Sequence, residues 1–292
     1  LKNAMLQLAI SPCPNDTFAF DAWIHKKVRC DAPDLDPILL DIEELNRRAT
    51  GPSPRPGICK MSIPAFAEAM EDYVALRAGG ALGFGVGPIV VVRDRQGEER
   101  RADGFAQLTG KRIAVPGQKT TAALLLRHFL PSFEAVEMRF DRVFAAVEAG
   151  VVEAGVVIHE GRFTFADHGL AQVSDLGRRW EERYALPLPL AVIGLRRDLV
   201  EPWGSAFERA LADSVRFARN DPQSSASFVQ KHAQEMAASV CQRHIDLYVN
   251  EETQWLSGLG KQAIVQMLAL GENEGLWHLE SGWRRRVFLA EG

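Results

Sequence analysis

His159 is the side chain best placed to move a proton. The apolar run Val156-Val157-Ile158 ends abruptly in His159-Glu160-Gly161-Arg162-Phe163-Thr164-Phe165, and the carboxyl ends of strands in open α/β sheets are where polar groups meet ligands. Neutral imidazole, with an ordinary pKa of about 6.5, accepts or delivers a proton near pH 7. Three other segments have the same strand-to-helix form. Ser11-Pro12-Cys13-Pro14-Asn15-Asp16-Thr17 follows an apolar run, and Asn15 or Asp16 is suited to cap a helix or to meet substrate hydroxyls. Lys60-Met61-Ser62 closes another run, with Pro64 in the next first turn. There the partial positive charge of a helix start, added to the full charge of Lys60, suits a carboxylate or phosphate. Val115-Pro116-Gly117-Gln118-Lys119-Thr120-Thr121-Ala122 leads into a leucine-rich helix whose start offers hydroxyl and N–H donors.

Each junction also has a plain structural reading. Asn15 or Asp16, Ser62 and Thr120 are all good helix caps, and a lone histidine is more often structural than catalytic. Several chemistries lack their sequence signatures. The G-x-x-x-x-G-K-[ST] loop of nucleotide hydrolysis is absent, and Gly83-Phe84-Gly85-Val86-Gly87 leads into Pro88 and a strand, which fits a hinge turn and not a dinucleotide fingerprint. Cys13, Cys30, Cys59 and Cys241 have neither zinc-ligand nor disulfide-framework spacing. Cys13 lacks a histidine near it in sequence, so it is a poor nucleophile candidate.

Charge and hydropathy narrow the partners. With 34 basic and 38 acidic side chains, a net charge of -4 and no long basic block, nucleic acid is not an expected partner. The run Arg284-Arg285-Arg286 fits a solvated or helix-ending segment. No stretch approaches the roughly 20 apolar residues of a membrane span, and the start passes into a strand without a secretory core. The expected setting is the cytoplasm and the expected partner a small anionic molecule. Composition sets no oligomeric state.

The elements that must position these residues alternate. Apolar runs predict strands over residues 6–10, 37–41, 57–61, 73–78, 88–93, 112–115, 135–139, 153–158 and 188–195. Amphipathic stretches predict helices over 16–26, 42–48, 63–70, 121–129, 142–149, 178–184 and 202–219, with more after Pro222. Such alternation argues for α/β sheets. A chain of 292 residues, 47% hydrophobic, is long enough for two lobes. The polar stretch 94–110 and the proline-spaced 186–190 mark the crossings. The expected division is a discontinuous lobe I, residues 1–93 plus 188–292, and a lobe II, residues 94–187.

Together these motifs, with Glu43-Glu44-Leu45-Asn46-Arg47 and Leu76-Arg77, resemble the 1,4-dihydroxy-6-naphthoate synthase family of the futalosine route to menaquinone. The resemblance runs from about Ile10 to Leu195, and more loosely through Tyr248-Val249-Asn250. It implies a two-lobed fold like type II periplasmic binding proteins, with a ligand cleft between the lobes. It also implies a cytoplasmic lyase acting on cyclic dehypoxanthine futalosine without metal or organic cofactor. By that resemblance His159 is the proton acceptor, while Lys60, Met61, Ser62, Thr120, Thr121 and Ala122 bind substrate. Two departures stand out: Pro54-Arg55-Pro56-Gly57 replaces an acidic approach to the lysine motif, and Phe165 stands where many members carry tyrosine. The competing readings are a solute-binding receptor of the same fold and a chorismate dehydratase of the same pathway.

Overall fold

The computed structural model describes residues 5–52, 54–94, 104–233 and 237–290. The chain forms two units, Leu1–Gly83 with Pro189–Gly292, and Phe84–Leu188. The first unit begins β1 (Leu6–Ile10), α1 (Pro14–Ile24), β2 (Leu35–Leu39), α2 (Ile42–Thr50), β3 (Ile58–Ser62), α3 (Ile63–Ala69), β4 (Tyr73–Ala75) and β5 (Ala81–Gly83). The second holds β6 (Ile89–Arg93), β7 (Arg112–Val115), α4 (Thr121–Phe129), β8 (Glu134–Glu137), α5 (Val143–Glu148), β9 (Ala154–Val157), α6 (Gly161–Thr164), β10 (Leu170–Asp175) and α7 (Leu176–Tyr184). From β11 (Leu188–Arg196) the chain returns to the first unit. It continues through α8 (Val200–Asn220), α9 (Ala226–His232), α10 (Ala238–Tyr248), α11 (Glu251–Gln254) and α12 (Gly258–Asn273).

Each unit has one mixed sheet. The first runs β2-β1-β3-β11-β4, with β5 also on β11; β1 is parallel to β2 and β3, whereas β11 is antiparallel to β3 and β4. The second runs β10-β6-β9-β7-β8; β7 is parallel to β8 and β9, and β6 is antiparallel to β9 and β10. In both sheets the strand that follows a crossover is the one opposed to its neighbours. That places the first crossing before β6, between Gly83 and Phe84. The sequence reading put residues 88–93 in lobe I; their hydrogen bonds to β9 and β10 put them in the second unit.

Two strands escaped the sequence pattern. β5 is only three residues long and ends in glycine. β10 is an edge strand whose register on β6 shifts between Gln172 and Ser174, which breaks the period-2 alternation that marks a strand.

The core of the first unit joins Leu8 and Ile10 of β1 and Phe20 of α1 to Phe207, Leu211, Val215 and Ala218 of α8. These four α8 residues recur at helical spacing and form one apolar stripe. Burying side chains the size of Phe207, Leu211 and Val215 contributes roughly 1.5–3 kcal/mol each. Ser214 stitches α8 to α1, accepting from the Trp23 N–H at 3.0 Å and donating to the Ala19 carbonyl at 2.7 Å. Arg77 is likewise internal. Its backbone N–H, Nε and Nη2 all donate to the buried carboxylate of Glu208, at 2.6, 3.0 and 2.6 Å, and its guanidinium lies 4.8 Å from the Trp255 ring centre. The second unit has its own core, built on Ile89, Val91, Ala114, Val143 and Val147.

Candidate functional site

The four junctions fall into two pairs, one in each unit. β1 and β3 are parallel neighbours, so the segments that leave their carboxyl ends, Ser11–Asp16 and Lys60–Ser62, emerge side by side. β7 and β9 are parallel neighbours too, which brings Thr120–Ala122 and His159 to one end of the second sheet.

In the first pair the charges cancel. α1 starts at Pro14, with Cys13 at the N-cap and no side-chain cap. Asn15 and Asp16 therefore stand inside the first turn, not ahead of it as the capping expectation had them. The Asp16 carboxylate accepts the Ser11 N–H at 3.0 Å and the Ser11 hydroxyl at 2.6 Å on Oδ2. On Oδ1 it accepts Asn15 Nδ2 at 3.0 Å and the Lys60 ammonium. Two donors on each oxygen fill a carboxylate's four lone-pair sites, so none is left for a substrate hydroxyl. Both partners are buried, Asp16 at 1% exposure and Lys60 at 4%. Lys60 thus offers remaining ammonium hydrogens without a net charge.

Ser62 does not cap α3 with its side chain. Its hydroxyl accepts from Asn46 Nδ2 at 3.1 Å, and its N–H donates to Asn46 Oδ1 at 2.9 Å. Lys60 and Ser62, two apart on one strand, share a face of the sheet, and Met61 faces the other way. The Met61 side chain is fully buried beside Gly194 of β11, so its part at a binding site is limited to backbone.

Asn46 and Glu43 are the residues the sequence reading did not place at a site. Asp41 caps α2 by accepting the Glu43 N–H at 2.9 Å, and the helical spacing sets Glu43, Asn46 and Arg47 on one side. Glu43 Oε2 accepts from Asn46 Nδ2 at 3.3 Å, and Arg47 Nε lies 3.8 Å from Glu43 Oε1. A completely buried asparagine, 0% exposed, signals a required hydrogen-bond network. Only burial reveals it.

In the second pair, Thr120 is the N-cap of α4. Its hydroxyl accepts the Ala123 N–H at 3.2 Å and donates to the Gly117 carbonyl at 2.8 Å. Gly117 makes this turn with φ 149°, a conformation that favours glycine. Thr121 and Ala122, both buried, occupy N1 and N2, where backbone N–H groups have no intrahelical acceptor and suit an anion.

His159 follows β9 after Ile158 and has φ 55°. The left-handed region costs a residue with a side chain roughly 1–2 kcal/mol. Lys26 and Ala185 share that conformation among the described residues, but both sit at helix ends, where it terminates a helix. His159 instead turns the chain between a strand and a short helix, and strain of this kind concentrates at functional sites. The imidazole meets the Phe140 ring edge-on, 5.2 Å between centres at 72°.

Arg162 is committed elsewhere. Its Nη2 donates to Asp175 Oδ2 at 2.7 Å and its Nη1 to the Gly87 carbonyl. Asp175 also caps α7 through the Arg178 N–H at 3.0 Å. Arg162 therefore ties β10 and α7 to the entry of β6. At the end of the glycine run that the sequence suggested as a hinge turn, Gly87 is packed: a Cβ on it would stand 2.2 Å from the Gly177 Cα.

Mixed sheets of this topology define a periplasmic-binding-protein-like fold. The alkanesulfonate-binding protein of Xanthomonas axonopodis pv. citri has the same fold, with a TM-score of 0.71 at 14% identity over 99% of this chain and 97% of that one. Protein AF1704 of Archaeoglobus fulgidus is 36% identical with a TM-score of 0.85, covering 94% of this chain and 98% of its own. Residues 6–273 match the menaquinone biosynthesis family, and the chain belongs to that family. Its curated relatives include the 1,4-dihydroxy-6-naphthoate synthase of Thermus thermophilus, 44% identical over 93% of this chain and 95% of that protein. The synthase of Streptomyces coelicolor is 41% identical over 93% and 94%.

Proposed function

We propose that this protein is a 1,4-dihydroxy-6-naphthoate synthase, a carbon–carbon lyase of menaquinone biosynthesis acting on cyclic dehypoxanthine futalosine. The observation that carries the reading is the 44% identity to the Thermus synthase along nearly the whole of both chains. His159 is the proton-abstracting base. What supports this role is its place at the carboxyl end of β9, in a left-handed conformation that helix termination does not explain. The base takes a C–H proton, and the released electron pair drives the elimination that frees the naphthoate from the sugar-derived carbons.

Each unit offers its own donors for polar groups of a substrate. Lys60 and Ser62 supply side-chain donors from the end of β3, with the Met61 backbone between them. The start of α4 at Thr120, Thr121 and Ala122 supplies N–H donors that favour an anionic group. Asn15 lies beside Lys60 through their shared partner Asp16. No described helix is long and apolar enough to cross a membrane. Four cysteines carried as thiols are consistent with placing the enzyme in a reducing cytoplasm.

The test is direct. Purified protein incubated with cyclic dehypoxanthine futalosine should yield 1,4-dihydroxy-6-naphthoate by chromatography and mass spectrometry, and chorismate should be left unchanged. Dehydration of chorismate, or binding without product, would overturn the assignment.

A further inference from the structure

We infer that Asn46 is a positioning residue that frees the Ser62 hydroxyl hydrogen to be donated, so that the end of β3, with Lys60, recognises a carboxylate or carbonyl on the substrate. The inference rests on the synthase reading for the substrate's identity, but its geometry is independent of it. The polarity of the Asn46 amide follows from its neighbours. Oδ1 must be the acceptor because the Ser62 backbone N–H points at it, 2.9 Å away. Nδ2 must be the donor because Glu43 Oε2 lies 3.3 Å from it. That carboxylate is held in turn near Arg47, one helical turn along α2.

Nδ2 then donates to Ser62 Oγ at 3.1 Å. A hydroxyl has one hydrogen and two lone pairs; with a lone pair taken by Asn46, the hydrogen is left to be given. Among the described residues no group receives it, and the hydroxyl does not cap α3. Lys60, on the same face two residues earlier, spends one ammonium hydrogen on Asp16 and keeps the others. Two neighbouring donors, each with a hydrogen to give, suit the two oxygens of one carboxylate. A carboxylate brings one oxygen to each of these donors, whereas a substrate hydroxyl brings a single oxygen to both.

The test compares Asn46→Asp with Asn46→Ala. An aspartate at 46 keeps the acceptor for the Ser62 N–H but takes the Ser62 hydroxyl hydrogen for itself. Alanine merely releases the hydroxyl. To keep the new carboxylate ionised beside Glu43, Asn46→Asp is made in a Glu43→Gln background and compared with Glu43→Gln alone. The expected result is a KM for cyclic dehypoxanthine futalosine raised about tenfold, the loss of one hydrogen bond to a charged group, with kcat changed less than about threefold. Asn46→Ala should cost less than Asn46→Asp, and adding Ser62→Ala to Asn46→Asp should cost nothing further. A structural asparagine would reverse that order; Asn46→Ala at least as damaging as Asn46→Asp, or multiplied losses in the combined variant, would overturn the inference.

Isophthalate serves as a carboxylate probe that needs no turnover. Its stabilisation of the wild type in thermal unfolding should vanish in Ser62→Ala and in Glu43→Gln/Asn46→Asp; equal stabilisation in all of them would overturn the inference. A wild type that makes no naphthoate but shows this Ser62-dependent stabilisation sinks the synthase reading alone. Normal turnover with a KM indifferent to Asn46→Asp sinks the inference alone.

Discussion

Lys60 and Asp16 form a buried ion pair that joins the end of β3 to the first turn of α1, and the Asp16 carboxylate is otherwise saturated by Ser11 and Asn15. Removing one member leaves the other charged and buried. Asp16→Ala is therefore expected to lower stability by about 3–5 kcal/mol, while the paired change Asp16→Leu/Lys60→Met costs less than Asp16→Ala alone. Urea unfolding of the three proteins reads this. A double variant less stable than Asp16→Ala would show that the pair is not a mutual compensation.

His159 makes a prediction in which activity and stability move in different directions. His159→Asn should reduce kcat by about 10²–10⁴-fold, the usual worth of a general base. Asparagine enters the left-handed region more readily than most residues, so the thermal midpoint should hold or rise. Substrate binding, measured by calorimetry, should be largely retained because a base acts chiefly in the transition state. Wild-type turnover in this variant would remove His159 from the chemistry.

Gly87 and Gly177 touch backbone to backbone, and the Arg162 guanidinium locks the same place. Gly87→Ala should destabilise by about 1–3 kcal/mol through overpacking, and Arg162→Ala by about 1.5–3 kcal/mol through the lost charged hydrogen bonds. Hydrogen exchange should accelerate at the amides of β6 and β10 and stay unchanged in β1 and β3. Uniform acceleration in both sheets would contradict a local role.

Cys59 is buried in β3, and burial pushes its thiol up to about 12. The folded chain then holds a proton that the unfolded chain releases near pH 8.5. Its contribution is fully present below that pH and is lost as pH climbs towards 12. The urea midpoint of the wild type should fall more steeply between pH 9 and 11 than that of Cys59→Ala. At pH 8 the Cys59 thiol should resist an aromatic disulfide reagent until the protein is unfolded. Parallel slopes, or rapid labelling of native Cys59, would refute the shift.

Local sequence determined the four strand-to-helix junctions and the motifs that carry the family resemblance. Each depends on a few consecutive residues: an apolar run, then a turn, then a helix start. That is why Ser62, Thr120 and His159 were legible from their positions alone. The tertiary structure decided how the junctions pair, since β1 beside β3 and β7 beside β9 are hydrogen-bonding choices made across long stretches of chain. It also moved β6 into the second sheet, because strand pairing and not the nearby polar stretch sets that boundary. And it gave Lys60 and Ser62 their characters: Asp16 cancels the lysine's charge and Asn46 frees the serine's hydrogen to be donated. Charge compensation and hydrogen-bond polarity belong to pairs of residues in space, and a run of sequence names only one member of each pair.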